Sequence, residues 1–236
     1  MPRSVVETLI SRQLHQYNRL KSILREDSED PKPVRGPVVA ISRMAGCCGR
    51  DLAQDLADRF GVQVWGRELV DEIARDKGLR REVVEQLDEG LLSNVDTWVR
   101  GVLERRLFLR DDYMVALAST IKTLAETGGA VFVGRGAGFI LSDRADLRLR
   151  LVASDRHRLA VLRELRGLDR DDARAFMTRT DEARATFISK CFEADVDDQR
   201  NYDLVVNTER LGAGMILELC EFLVRTKRLP AMEAKG

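Results

Sequence analysis

Long apolar runs are missing from this chain: none approaches the length of a bilayer crossing, and the first residues carry no hydrophobic signal core. No membrane contact is expected, and the cytoplasm is the expected compartment. An excess of one charge is missing too. The 39 basic residues are balanced by 39 acidic ones, which excludes the broad positive field of a nonspecific nucleic-acid binder. Histidine is scarce. His15 falls on the polar side of a helical arm, His157 reads as a surface residue, and neither has neighbours that suggest a catalytic pair or a metal. The four cysteines match no zinc spacing and no disulfide framework, since Cys47 and Cys48 are adjacent and Cys191 and Cys220 isolated. What is present is an ordinary globular composition, 44% hydrophobic and 33% charged over 236 residues. That is enough for one domain with a sizeable insertion.

Residues 1–36 read as an arm and a linker. Val6, Leu9, Ile10, Leu14, Tyr17, Leu20 and Leu24 share one helical face, and the acidic, proline-containing stretch 26–33 opposes a continued helix. Such an arm can pack on its own core or on a second copy as a homodimer. From Pro37 onward, short apolar runs at 38–41, 62–65, 130–133, 147–152 and 204–206 alternate with helix-length segments. The pattern predicts a parallel five-stranded α/β sheet covered by helices on both faces. Residues 67–128 carry no strand signal, and helices expected at 68–77, 80–88, 95–108 and 113–127 exceed a simple crossover, so a helical insertion is expected there. A last helix with Met215, Ile216, Leu219, Cys220 and Leu223 in register closes a domain spanning 37–228, and 229–236 forms a tail.

The first strand empties into Ser42-Arg43-Met44-Ala45-Gly46-Cys47-Cys48-Gly49-Arg50-Asp51, and a helical pattern begins at Leu52. A glycine turn between a buried strand and a helix start exposes backbone N–H groups at the positive end of the helix dipole, where a phosphate can sit. The layout is that of a P-loop, but the pattern G-x-x-x-x-G-K-[ST] would place Lys near Gly49 and Ser or Thr near Asp51. Arg43 or Arg50 can bring the charge as a planar fork, although Arg50 also reads as a solvent-facing first-turn residue. Asp51 stands where the hydroxyl would ligate Mg²⁺. It can hold the metal or serve simply as a favourable first-turn residue. Cys48 places a Cβ where a glycine would let a phosphate approach, which predicts a narrower or bent loop. A helix N-terminus acidifies thiols, so Cys47 and Cys48 are redox candidates; two small residues filling a tight turn is the plain alternative.

Taken in order, Ile41-Ser42-Arg43, the glycine turn, Leu52-Ala53, Trp65-Gly66-Arg67-Glu68-Leu69, Val133-Gly134-Arg135-Gly136-Ala137, Asp181-Glu182-Ala183-Arg184 and Tyr202-Asp203-Leu204-Val205-Val206-Asn207-Thr208 resemble the cytidylate-kinase-like family. This is a branch of the nucleoside monophosphate kinases within the P-loop NTPases, and the resemblance covers roughly 38–223. It implies a three-layer fold with an inserted helical acceptor-binding region, a lid-like segment near 168–195, ATP and Mg²⁺, and nucleotides as partners, with CMP or dCMP as acceptor. Members commonly carry an Arg after the Ser and a Gly-Ser-Gly-Gly turn, so the missing Lys is partly a family trait, while the cysteines depart from it. The resemblance also implies roles. Arg43, Gly46, Cys47, Cys48, Gly49 and Arg50 would hold the ATP phosphates. Arg135, beside Gly134, would clamp the acceptor phosphate, although the family's Asp-Gly-Arg-Asp run has become Val133-Gly134-Arg135-Gly136. Arg179, Asp181 and Arg184 would belong to the lid, with Arg156 and Arg158 near the nucleotide. A helix face laced with ion pairs is the alternative for the lid residues, and Asp169-Arg170-Asp171-Asp172 reads that way. The competing expectation is a catalytically impaired P-loop module that binds a nucleotide or a protein partner.

Overall fold

Five apolar runs pair side by side in parallel in the computed structural model, which describes residues 5–13, 15, 36–76 and 112–228. They are β1 (Val38–Arg43), β2 (Gln63–Gly66), β3 (Ala130–Val133), β4 (Leu147–Val152) and β5 (Leu204–Asn207). The spatial order is β2-β3-β1-β4-β5. Every expected strand is present. β1 runs on through Ser42 and Arg43 because both find partners on β4, at Arg150 and Leu151.

Alternation along the strands sorts side chains between two layers of helices. Val39, Ile41, Val131, Leu147, Leu149 and Leu151 face α2 (Gly49–Phe60) and α8 (Ala213–Arg228), where Leu52, Leu56, Ile216 and Val224 complete the packing. Ala40, Trp65 and Phe132 face the opposite layer. That layer is built from α1 (residues 5–13), α3 (Arg67–Arg75), α4 (Asp112–Glu126) and α5 (Ala137–Leu141). Burying each such side chain is worth roughly 1.5–3 kcal/mol. Two further helices, α6 (Asp155–Arg166) and α7 (Arg170–Phe192), follow β4.

Helix ends follow local chemistry. Ser154 caps α6, its hydroxyl accepting the His157 N–H. Asp169 caps α7 by accepting the N–H groups of Asp171 and Asp172, so this acidic run starts a helix instead of lacing its side with ion pairs. The lid-like segment is a single helix of 23 residues. The helices expected at 80–88 and 95–108, the linker at 26–33 and the tail at 229–236 lie outside the described residues. Among the described residues no helix is long and apolar enough to cross a membrane.

The arm's described part packs on its own core. Val6 and Ile10 are buried with Trp65, Ile73 and Leu117. Gln13, also buried, accepts the Trp65 indole N–H at 2.8 Å and donates to the Leu124 carbonyl at 2.6 Å and the Thr127 hydroxyl at 3.1 Å. Gln13→Ala strands the indole N–H in an apolar layer. It should cost about 1–3 kcal/mol of stability, read as a lower urea midpoint at unchanged m-value.

Candidate phosphate-binding site

The turn after β1 is shaped by its neighbours. Gly46 has φ +83°, and a Cβ there would lie 2.7 Å from the Arg158 carbonyl oxygen, so only glycine fits. Cys48 sits at the N-cap of α2 in the left-handed conformation, φ 45°, without a side-chain cap. The chain turns at Cys48, a non-glycine residue in the left-handed region. The N–H groups of Gly49, Arg50 and Asp51, in the first turn of α2, have no acceptor among the described residues. The thiols behave differently from expectation. Burial pushes Cys47 up despite a hydrogen bond with Thr208, and burial with Asp51 and Glu164 pushes Cys48 up. Desolvation and carboxylates outweigh the helix terminus, so neither thiol is acidified by it.

A cleft of about 600 Å³ opens at the carboxyl ends of the strands beneath α7. Among the described residues, nine arginines and a single carboxylate, that of Glu68, line it. Arg43 crosses directly over Gly134: a Cβ on Gly134 would sit 2.5 Å from Arg43 Nη1. The Arg43 side chain makes no hydrogen bond or ion pair among the described residues. Burial and then Arg184 bring its pKa down to about 9, with Glu68 opposing and Arg67 and Arg50 adding to the fall. A cation held among an excess of cations, with no ion pair of its own among the described residues, is a site that an anion stabilises. Arg184 donates to the Arg43 carbonyl at 3.0 Å and lies 3.5 Å from Asp181, the ion pair foreseen as an alternative. Burial lowers the pKa of Arg184 as well. Arg179 lines the cleft from α7 and is exposed.

Other expected site residues are placed elsewhere. Gly46, Cys47, Cys48 and Gly49 form the loop beside the cleft without lining it. Arg50, 83% exposed, lies at the rim 3.7 Å from Glu68. Arg156 is exposed and outside the cleft. Arg158 is also outside it: on the inward side of α6, it donates to the Ala45 carbonyl at 3.3 Å, to Asp181 at 2.5 Å and to Asp155 at 2.6 Å. Asp181 spends its other oxygen on the Ala45 N–H at 2.8 Å. Both its oxygens are committed to fastening α7 onto the turn, which makes Asp181 and Arg158 positioning residues and not the nucleotide contacts expected of them.

Arg135 projects from a turn in which Gly134, Arg135 and Gly136 have φ values of +85°, +52° and +65°. A non-glycine residue in this region costs about 1–2 kcal/mol. A Cβ on Gly136 would enter the ring of Phe192, which explains why the acidic residue of the family's run has no room here. Arg135 Nε donates to Asp71 Oδ1 at 2.6 Å and Nη2 to Asp71 Oδ2, while the Tyr113 hydroxyl also donates to Oδ1, at 2.7 Å. Burial raises the Asp71 carboxyl, but the hydrogen bonds from Arg135 and Tyr113 prevail and hold it below its usual 3.8. Tyr113 is pushed up to about 12 by burial and by Asp71.

Three contributors were not singled out in the sequence. Asp71 lies on the buried face of α3, where a carboxylate is rare enough to be a signal. Arg148 and Arg150 alternate with leucines along β4 and point into the cleft. Arg150, 5% exposed, donates to the Ser42 hydroxyl at 2.8 Å and to Asp197 at 2.6 Å. Among the described residues no group of three His, Cys, Asp or Glu could hold a metal. The donors fit an Mg²⁺ that arrives on nucleotide phosphates: Asp51, exposed in the first turn of α2, offers one carboxylate beside unpaired N–H groups.

A parallel sheet in this order, a glycine turn feeding a helix from its central strand, and arginines gathered over the strand ends define a P-loop kinase-like protein. The chain belongs to the cytidylate kinase-like family, which matches residues 38–210. That membership supports a nucleotide-kinase-like function. Among solved structures, an uncharacterized protein from Eubacterium ventriosum shares the fold at a TM-score of 0.64, with 21% identity over 81% of this chain and 99% of its own. A shikimate kinase from Bacteroides thetaiotaomicron is 14% identical at a TM-score of 0.41, over 80% of this chain and 95% of its own. No curated protein matches the chain.

Proposed function

We propose that the protein transfers the γ-phosphoryl group of ATP to a nucleoside monophosphate, with CMP or dCMP favoured by the family, in the cytoplasm. The observation that carries this reading is Arg43, half-buried and without an ion pair among the described residues, crossing Gly134 beside Arg135 in a cleft whose described lining holds nine arginines and one carboxylate. Phosphoryl transfer proceeds through a loose transition state with charge spread over the transferred oxygens, so catalysis is mostly positioning and neutralisation. Arg43 and the N–H groups at the start of α2 hold the donor phosphates. Arg135 holds the acceptor phosphate, and Arg179 and Arg184 of α7 meet the charge that develops between them. No general base is needed, because the acceptor phosphate is already anionic. Mg²⁺ neutralises charge on the donor phosphates, and Asp51 is the residue that would hold it or its waters. Nothing in this scheme requires a second copy of the chain.

A second reading, a nucleotide-binding module without turnover, is favoured by one observation: Asp181 already occupies the Ala45 N–H in the turn. An assay of Mg²⁺-dependent transfer from ATP over a panel of ribo- and deoxyribonucleoside monophosphates separates the two. Turnover on a cytidine nucleotide, lost when Mg²⁺ is chelated, is the expected result. A folded protein that binds ATP and transfers to no acceptor would leave only the second reading.

A further inference from the structure

We infer that Asp71 is a positioning residue: it grips one edge of the Arg135 guanidinium and so presents the opposite edge to an anionic phosphate in the cleft. The inference rests on Arg135 being the acceptor-phosphate ligand. Arg135 has a long stem that leaves the backbone from three consecutive left-handed residues, with no carboxylate at Val133 or Gly136 to fix it. Its orientation comes instead from three other elements. Asp71 of α3 accepts from Nε and Nη2, Tyr113 of α4 braces Asp71 through its hydroxyl, and Phe187 of α7 lies under the guanidinium plane with its ring centre 5.2 Å from Cζ.

The carboxylate defines the edge and the ring defines the plane. Arginine carries five N–H donors in a fixed fork, so with Nε and one hydrogen of Nη2 engaged, three donors remain, and the Nη1–H and Nη2–H that point away from Nε form a preset pair for phosphate oxygens. Asp71 is suited to hold and not to compete. It is 8% exposed, and its oxygens are already occupied by Arg135 and Tyr113. Arg135 itself is less buried and lines the cleft. Pre-orientation of this kind matters most where the bound group must be aligned for transfer.

Two measurements test the assignment. The first needs no ligand: in ¹⁵N spectra of the protein, the Arg135 Nε–H signal, identified by its loss in Arg135→Lys, should be resolved and slow to exchange with solvent. Asp71→Asn should abolish that protection and Asp71→Glu should restore part of it. An Arg135 Nε–H that exchanges in the wild type as fast as exposed arginines, or is unchanged in Asp71→Asn, overturns the inference. The second is kinetic. Asp71→Asn should raise KM for the acceptor by about tenfold or more, leave KM for ATP unchanged, and add nothing further in an Arg135→Ala background. Equal losses in both backgrounds, or equal rises in both KM values, would mean a merely structural role. Should Asp71→Asn fail to fold, Tyr113→Phe removes one brace and should shift the acceptor KM in the same direction by a smaller factor. A wild type that turns over no acceptor would remove the kinase reading while the exchange measurement still decides the role of Asp71.

Discussion

Arg135→Ala is expected to lower kcat/KM for phosphoryl transfer by about 10³-fold or more, while ATP still binds. In the proposed scheme the side chain meets the acceptor phosphate from a constrained turn, and would contribute to the transition state as well as to the ground state. Steady-state kinetics with the acceptor varied measure the loss, and a drop of less than tenfold would remove Arg135 from the machinery. The variant also strands Asp71, which gives an acid-side signature. The Arg135 and Tyr113 hydrogen bonds depress the Asp71 pKa in the folded state below its ordinary 3.8. The stabilisation that results is complete above the ordinary value and is lost as pH falls through the lower folded one. The stability difference between wild type and variant, taken from urea unfolding at several pH values, should therefore be largest near neutrality and shrink on acidification.

Gly134→Ala should be the second most damaging change, for two separable reasons. Its φ of +85° puts any L side chain in a strained region, at about 1–2 kcal/mol, and the new methyl would lie 2.5 Å from Arg43 Nη1. Arg43 then has to leave its place over the turn. Transfer should fall by about 10²-fold, with KM for ATP raised. Gly128→Ala separates the two costs, because Gly128 has φ +108° and open space around it. That variant should lose stability in thermal unfolding and keep its kinetics. If both alanines behaved alike, the crossing of Arg43 over Gly134 would have no functional weight.

The strands were legible because each is a short apolar run bounded by breakers, and their parallel pairing follows from the helices between them. Arg135 was singled out because Gly134-Arg135-Gly136 stands where the family's phosphate-clamping run does. Asp71 was not: its partner lies 64 residues further along the chain, and nothing local marks the pairing. Asp181 shows the converse. Its spacing to Arg184 invites a local reading, yet the contact that commits it is with Ala45, 136 residues away. Arg148 and Arg150 were visible as an alternation in β4 but read only as strand, since a parallel sheet is normally apolar on both faces. The polar face of that strand reports a cavity above the sheet. The Cys47 thiol went the other way because a helix terminus is visible in sequence and burial is not, and Cys48 because the placement of Asp51 and Glu164 around it is not visible either.

The stretch recognisable as a family member ends at residue 210, yet Ile216, Cys220 and Val224 of α8 complete one layer of the core, and Val6 and Ile10 of α1 complete the other. Homology and cooperativity therefore draw different borders on this chain. The family pattern covers one segment, whereas the packed core extends past it, closed at each end by helices that the pattern leaves out. Those two end pieces are free to diverge between relatives in sequence, so long as each still supplies the apolar faces that the sheet cannot leave bare.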